Sequence, residues 1–121
     1  MKKRLNITEA IMKDQELLLM TEESTNLTEL SPAGQMLVDS DQLSFIYLAE
    51  QDGDYTYITI PEKTWSVLKE GLAAGAMVSL SNGSSQVELV SFKEEMEYLI
   101  ENIKGNSNYG DEMVGKVELI F

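Results

Sequence analysis

Apolar and polar residues alternate at the start of the chain. Leu5, Ile7 and Ile11 interleave with Asn6, Thr8 and Ala10, which predicts a half-buried strand. Lys13-Asp14-Gln15 interrupts it, and the apolar run Leu17-Leu18-Leu19-Met20 follows Glu16, so the two segments predict a hairpin. A polar stretch over 21–26 leads to a short piece around 27–30. Ser31-Pro32-Ala33-Gly34 is a turn by composition, because proline fixes φ and glycine permits positive φ. Residues 35–38 form a short apolar segment closed by Asp39-Ser40-Asp41. Residues 43–49 are apolar on both faces, which predicts an interior strand. Asp52-Gly53 then turns the chain into 54–60, a run of β-branched and aromatic residues.

Helical spacing takes over after Pro61. Trp65, Leu68 and Leu72 share one face within 62–74, with Pro61 at the first helical position and Gly75 as the C-terminal cap. Residues 76–80 and 86–90 flank Ser81-Asn82-Gly83-Ser84-Ser85 as a further hairpin. Ser91-Phe92-Lys93-Glu94 reads as a capping box. It opens a helix over 92–104 whose stripe is Phe92, Met96, Leu99, Ile100 and Ile103. Residues 106–110 form a loop. The segment 111–121 fits either a helix or a closing strand, and Asp111 and Glu112 in its first turn favour a helix. The expected class is α+β: a single domain over 1–121, with about six mostly antiparallel strands in a curved sheet or partial barrel. Two main helices and a short C-terminal helix complete it.

Composition narrows the chemistry. The 121 residues are enough to bury about two-thirds of the unfolded surface without cross-links. Cysteine is absent, which excludes disulfides, thiolate metal sites and cysteine nucleophiles. Histidine is absent too, removing the commonest general base and transition-metal ligand. Nine basic against 21 acidic residues give a net charge of −12, which repels nucleic-acid phosphate and anionic lipid. Met1-Lys2-Lys3-Arg4 has the charge of a signal-peptide start, but Leu5 to Ile11 alternates and contains Glu9. The expectation is a cytoplasmic protein without nucleic-acid or membrane contacts.

Few motifs carry chemistry. Asp39-Ser40-Asp41 opens like a calcium loop and Glu50 falls at its closing position, but Leu43 and Ser44 stand where an oxygen ligand and a glycine are needed, in a segment predicted as strand. A turn is the simpler reading. Gly71, Gly75 and Gly83 lack the spacing of a phosphate loop. Glu94, Glu95, Glu97 and Glu101 fit the solvated side of a helix, and Trp65 fits the core. Tyr55 and Tyr57 share a strand face without the basic groove that nucleic acid requires. The polar string 102–112 has one aromatic residue, Tyr109, among asparagines and glycines, in a position where binding groups often sit.

Two strings resemble a known family. They are Gln-Met-Leu-Val-Asp-Ser-Asp-Gln-Leu-Ser-Phe-Ile-Tyr over 35–47 and the segment 93–112, from Lys93-Glu94-Glu95-Met96 to Asn106-Ser107-Asn108-Tyr109-Gly110-Asp111-Glu112. With Ile60-Pro61 and Trp65 they resemble the YjbL-like family, an uncharacterised family of small proteins from Bacillus and its relatives. The resemblance implies a stand-alone bacterial domain with no assigned activity, cofactor or catalytic residue. It directs attention to Asp39, Asp41, Asn106, Asn108 and Tyr109 as candidate binding residues; no catalytic residue, metal ligand or cofactor is assigned.

Three functions fit these constraints. The leading one is a protein-binding or regulatory module without catalysis, whose acidity steers a basic partner. The second is a carboxylate- or divalent-metal-dependent enzyme, which needs Asp39, Asp41, Asp52 and Asp54 to meet at one end of the sheet. The third is an inhibitor that mimics nucleic acid. Leu17-Leu18-Leu19-Met20, apolar on both faces, also predicts a homodimer whose share rises with salt as the −12 charge is screened.

Overall fold

A computed structural model describes residues 3–121. The strands are β1 (Lys3–Lys13), β2 (Glu16–Thr21), β3 (Ser31–Asp39), β4 (Ser44–Gln51), β5 (Asp54–Pro61), β6 (Met77–Ser81) and β7 (Gln86–Glu88). The helices are α1 (Trp65–Ala74), α2 (Phe92–Ile103) and α3 (Asp111–Ile120), with 3₁₀ turns at Leu27–Glu29, Glu62–Thr64 and Ser107–Tyr109. The strands make one curled seven-stranded sheet in the order β3-β4-β5-β1-β2-β6-β7. The class is therefore α+β, with seven strands; the extra one is β3, whose apolar half alone was readable as 35–38.

The β1–β2 hairpin occupies the middle of the sheet. It joins its neighbours in parallel on both sides, β1 to β5 and β2 to β6, while the remaining four pairings are antiparallel. The predicted hairpins at Asp52-Gly53 and Asn82-Gly83 are present. Asp52 and Gly53 both take positive φ (54° and 83°), the geometry of a two-residue hairpin turn.

The register of β1 changes midway. Leu5 and Ile7 are buried toward the helices, but a bulge between Ile7 and Glu9 reverses the alternation. Thr8 Oγ1 donates to the Met20 carbonyl at 3.3 Å beside this bulge. Beyond it Ala10 and Met12 turn inward opposite Leu19 and Leu17, and Ile11 faces solvent. The simple alternation expected of Leu5, Ile7 and Ile11 holds only for the first two.

A second irregularity sits in β3. Ser31-Pro32-Ala33-Gly34 lies within the strand, where Pro32 opposes Ala49 and Gln35 opposes Leu48, so the turn-forming residues supply a bulge. Gly34 takes φ 69° there. Its N–H donates to the Tyr47 hydroxyl at 3.2 Å, and that hydroxyl donates to the Val90 carbonyl at 2.7 Å. A Cβ on Gly34 would lie 3.6 Å from Ser91 Oγ. The segment leaving β7 therefore returns to β3, and the sheet curls until its two ends approach.

This contact changes the start of α2. Ser91 is held at φ 61°, and its side chain makes no capping hydrogen bond, so the expected capping box does not form. Helix α2 buries Phe92, Met96, Ile100 and Ile103 toward β3, whereas Leu99 is only half-buried. Helix α1 lies over β1 and β2. Pro61 ends β5 instead of opening α1, because a 3₁₀ turn intervenes. The segment 111–121 is helical: Met113 and Val117 are buried, and Phe121 reaches Phe45 and Trp65 with ring centroids 6.2 and 5.9 Å away. Trp65 is fully buried, its indole N–H donating to the Ile60 carbonyl at 3.4 Å.

Two glycines in helices have opposite roles. A Cβ on Gly71 of α1 would stand 2.9 Å from Leu17 Cδ2 and 3.3 Å from Leu17 Cβ, so the missing side chain lets α1 approach β2. Gly115 of α3 faces open space. Gly115→Ala is expected to raise stability by up to about 1 kcal/mol through helix propensity. Gly71→Ala is expected to lower it, since overpacking costs about 1–3 kcal/mol against a propensity gain of about 1. Urea melts of the two variants with equal signs would contradict this packing.

Burial pushes the Tyr47 phenol up to about 12, the Gly34 hydrogen bond opposes this, and the negative charges of Glu88 and Glu95 add to it. The raised value means that the fold favours the neutral phenol. Its contribution to stability is complete below pH 10 and is lost as pH rises from 10 toward 12. Tyr47→Phe is expected to destabilise by about 1–3 kcal/mol, because the Gly34 and Val90 groups lose their partner, and to flatten that alkaline loss. Chemical denaturation from pH 8 to 11.5 checks both; an unchanged alkaline slope in the variant would refute the assignment.

Candidate functional site

All three helices pack on one side of the sheet, so its other face is the natural place for a site. A groove of about 590 Å³ lies there. Its wall comes from β1 (Arg4, Asn6, Thr8), the end of β3 (Asp39), the following turn and β4 (Gln42, Ser44), β5 (Thr59) and the 3₁₀ turn after it (Lys63). Strand register explains the convergence. Asn6 opposes Thr59 across the parallel β1–β5 pair, and Ser44 opposes Pro61 across β4–β5, which places these side chains on the face away from the helices.

The groove is polar and partly preformed. Ser44 and Thr59 are buried at its floor. Ser44 Oγ donates to the Gln42 carbonyl at 3.0 Å. Arg4 Nη1 donates to Thr59 Oγ1 at 3.0 Å, and the guanidinium lies 5.9 Å from the centre of the Tyr57 ring. Two neighbours thus orient Arg4, the sole arginine of the chain.

Of the residues singled out from sequence, Asp39 lines this groove. Its Oδ1 accepts from the Gln42 N–H at 3.1 Å, closing the β3–β4 turn. Asp41 is exposed in that turn. Asn106, Asn108 and Tyr109 lie in the connection between α2 and α3, and none of them is on the groove wall. There Asn106 Oδ1 accepts from the Asn108 N–H at 3.1 Å, and Tyr109 packs partly against the core. The local hydrogen bonding of both strings is that of turns.

The carboxylates required for metal chemistry do not converge. Asp39 and Asp41 precede β4 and Asp52 and Asp54 follow it, so the pairs sit at opposite ends of an eight-residue strand. Among the described residues no group of three or more acidic side chains is placed to hold a metal ion. No helix is long and apolar enough to cross a membrane.

Sequence reasoning did not select Arg4, Lys63, Thr59 or Ser44. They come from separate elements and form no motif. The one available signal was a lone arginine on an alternating strand in a chain of charge −12.

Known proteins place the chain. A Bacillus licheniformis protein is 46% identical over 121 residues, covering 100% of this chain and 99% of the relative. The YjbL protein of Bacillus subtilis is 42% identical over 121 residues with the same coverage, and a Geobacillus protein is 41% identical over 122 residues, covering 100% and 98%. No solved structure matches. The model of a family of unknown function, UPF0738, matches residues 5–121, in agreement with the resemblance read from 35–47 and 93–112. The chain belongs to the UPF0738 family, which includes YjbL.

Proposed function

We propose that this protein is a cytoplasmic, non-catalytic binding module that takes a basic protein segment on the outer face of α2. The observation that carries the reading is Tyr98, an aromatic side chain 65% exposed on that helix. Glu94 lies one turn before it and Glu101 one turn after, at the i,i+4 and i,i+3 spacings that share a helix face. Both carboxylates are exposed, and neither forms an ion pair among the described residues. A lysine or arginine side chain fits such a stripe, since its cation can lie over the ring while neighbouring cations meet the carboxylates.

The rest of the surface supports this partner chemistry. A net charge of −12 speeds the encounter with a basic segment and disfavours acidic ones. The opposite side of α2 is committed to the core through Phe92, Met96, Ile100 and Ile103, so the acidic face is free of structural duty.

A fluorescent lysine/arginine-rich peptide, titrated by anisotropy, tests the reading. Binding is expected at about 20 mM salt and should weaken at least tenfold at about 200 mM, as expected for exposed charge pairs within reach of screening. Tyr98→Ala and the double change Glu94→Gln, Glu101→Gln should each weaken it severalfold while leaving thermal stability unchanged. An affinity indifferent to both variants would mean that net charge alone attracts the peptide and would overturn the site.

A further inference from the structure

The groove on the other face brings two cations, Arg4 and Lys63, onto one wall. The chain carries 21 acidic residues, yet among the described residues no carboxylate lies within 4.0 Å of the Arg4 guanidinium. The same holds for Lys63, whose neighbour Glu62 is turned to Lys116 at 3.3 Å. That bridge is the one ion pair among the described residues. Most cations among the described residues have no ion pair, so what sets Arg4 apart is the support it receives. Arg4 is held by neutral groups, the Thr59 hydroxyl and the Tyr57 ring.

This support orients the guanidinium and leaves most of its five donors without a partner among the described residues. A planar fork of that kind matches a phosphate oxygen pair, with better directionality than a lysine could offer. Lys63 supplies a second positive charge on the same wall. The remaining lining is of a different kind: Asn6, Gln42 and Thr8 offer amide and hydroxyl groups, and Asp39 has one oxygen engaged by the Gln42 N–H. A bare anion would meet Asp39 as a repulsive charge. A ligand with hydroxyl groups beside its phosphate would use Asp39 as an acceptor.

The volume is in the range of small-molecule sites, roughly 300–1,000 Å³, and the opening faces solvent. We propose that this groove binds a small phosphorylated, hydroxyl-bearing molecule of the sugar-phosphate class. Arg4 and Lys63 hold the phosphate, and Asp39 with the neighbouring amides takes the hydroxyls. The site lies on the sheet face opposite α2 and is independent of peptide binding there.

Isothermal titration of the full chain with three probes tests the proposal: a hexose 6-phosphate, the unphosphorylated hexose and inorganic phosphate. The hexose phosphate is expected to bind, the free hexose to give no heat, and inorganic phosphate to bind at least tenfold more weakly. Arg4→Gln should abolish binding, and Arg4→Lys should weaken it at least tenfold. Asp39→Asn should weaken the hexose phosphate but strengthen inorganic phosphate, a reversal that a merely structural role would not produce. Circular dichroism melts of the same variants report folding separately, and Arg4 is exposed enough for its replacement to leave the fold intact. Absence of heat from the hexose phosphate at millimolar concentration, or equal affinity in wild type and Arg4→Gln, would overturn the site.

Discussion

One buried hydroxyl holds the two ends of this sheet together. Tyr47 stands on β4 with its ring against Phe92, centroids 6.1 Å apart, and its oxygen between the Gly34 N–H and the Val90 carbonyl. Those two backbone groups belong to distant parts of the chain. One lies in the β3 bulge and the other follows β7, the strands at opposite ends of the sheet order. A curled sheet could bring them near by twist alone, but both part-buried groups would then lack this shared partner. The phenol satisfies both, and much else follows from that. Gly34 needs positive φ, Ser91 is held in a left-handed conformation, and α2 starts where its apolar stripe meets β3.

The connection from β2 to β3 reinforces the same curl. Asn82 Nδ2 donates to the Glu23 and Thr25 carbonyls, and the Leu27 N–H donates to Ser85 Oγ. The β6–β7 turn is thereby sewn to the segment that leads into β3. Leu27, fully buried, plugs the space beneath. Edge strands ordinarily invite pairing with other chains. Here β3 is covered by α2, and β7 is flanked by the 3₁₀ turn of Leu27–Glu29.

The legible parts of the fold were those decided locally. Asp52-Gly53 and Asn82-Gly83 announced their turns because few residues tolerate positive φ, and the stripe of α2 stood out at 3.6-residue spacing. Bulges were hidden, since the alternation of Leu5, Ile7 and Ile11 looks regular until the partner strand shows that Thr8 is extra. Ser31-Pro32-Ala33-Gly34 has turn composition for a sound reason, a positive φ at Gly34, but the bend it makes lies inside a strand. The parallel pairings of β1 and β2 depend on segments more than fifty residues away, and nothing local encodes them. The groove was hidden for the same reason. Asp39 drew attention through its own short motif, whereas Arg4, Thr59 and Lys63 become a site only after β1 slots beside β5.

That central placement of the β1–β2 hairpin has a consequence for biosynthesis. The middle of the sheet leaves the ribosome before either flank, and a lone two-stranded hairpin is marginal in water. Met20 meets Ser81 only after some sixty further residues have emerged, a wait of about 3–12 s at bacterial and eukaryotic elongation rates of about 5–20 residues per second. During it Leu17 and Leu19 have no α1 above them, and both sides of the hairpin present unsatisfied backbone. The charges along this hairpin, Lys3, Arg4, Glu9, Lys13, Asp14 and Glu16, interrupt any long apolar edge. They act as gatekeepers for a nascent chain whose core strands must stay open until their partners arrive.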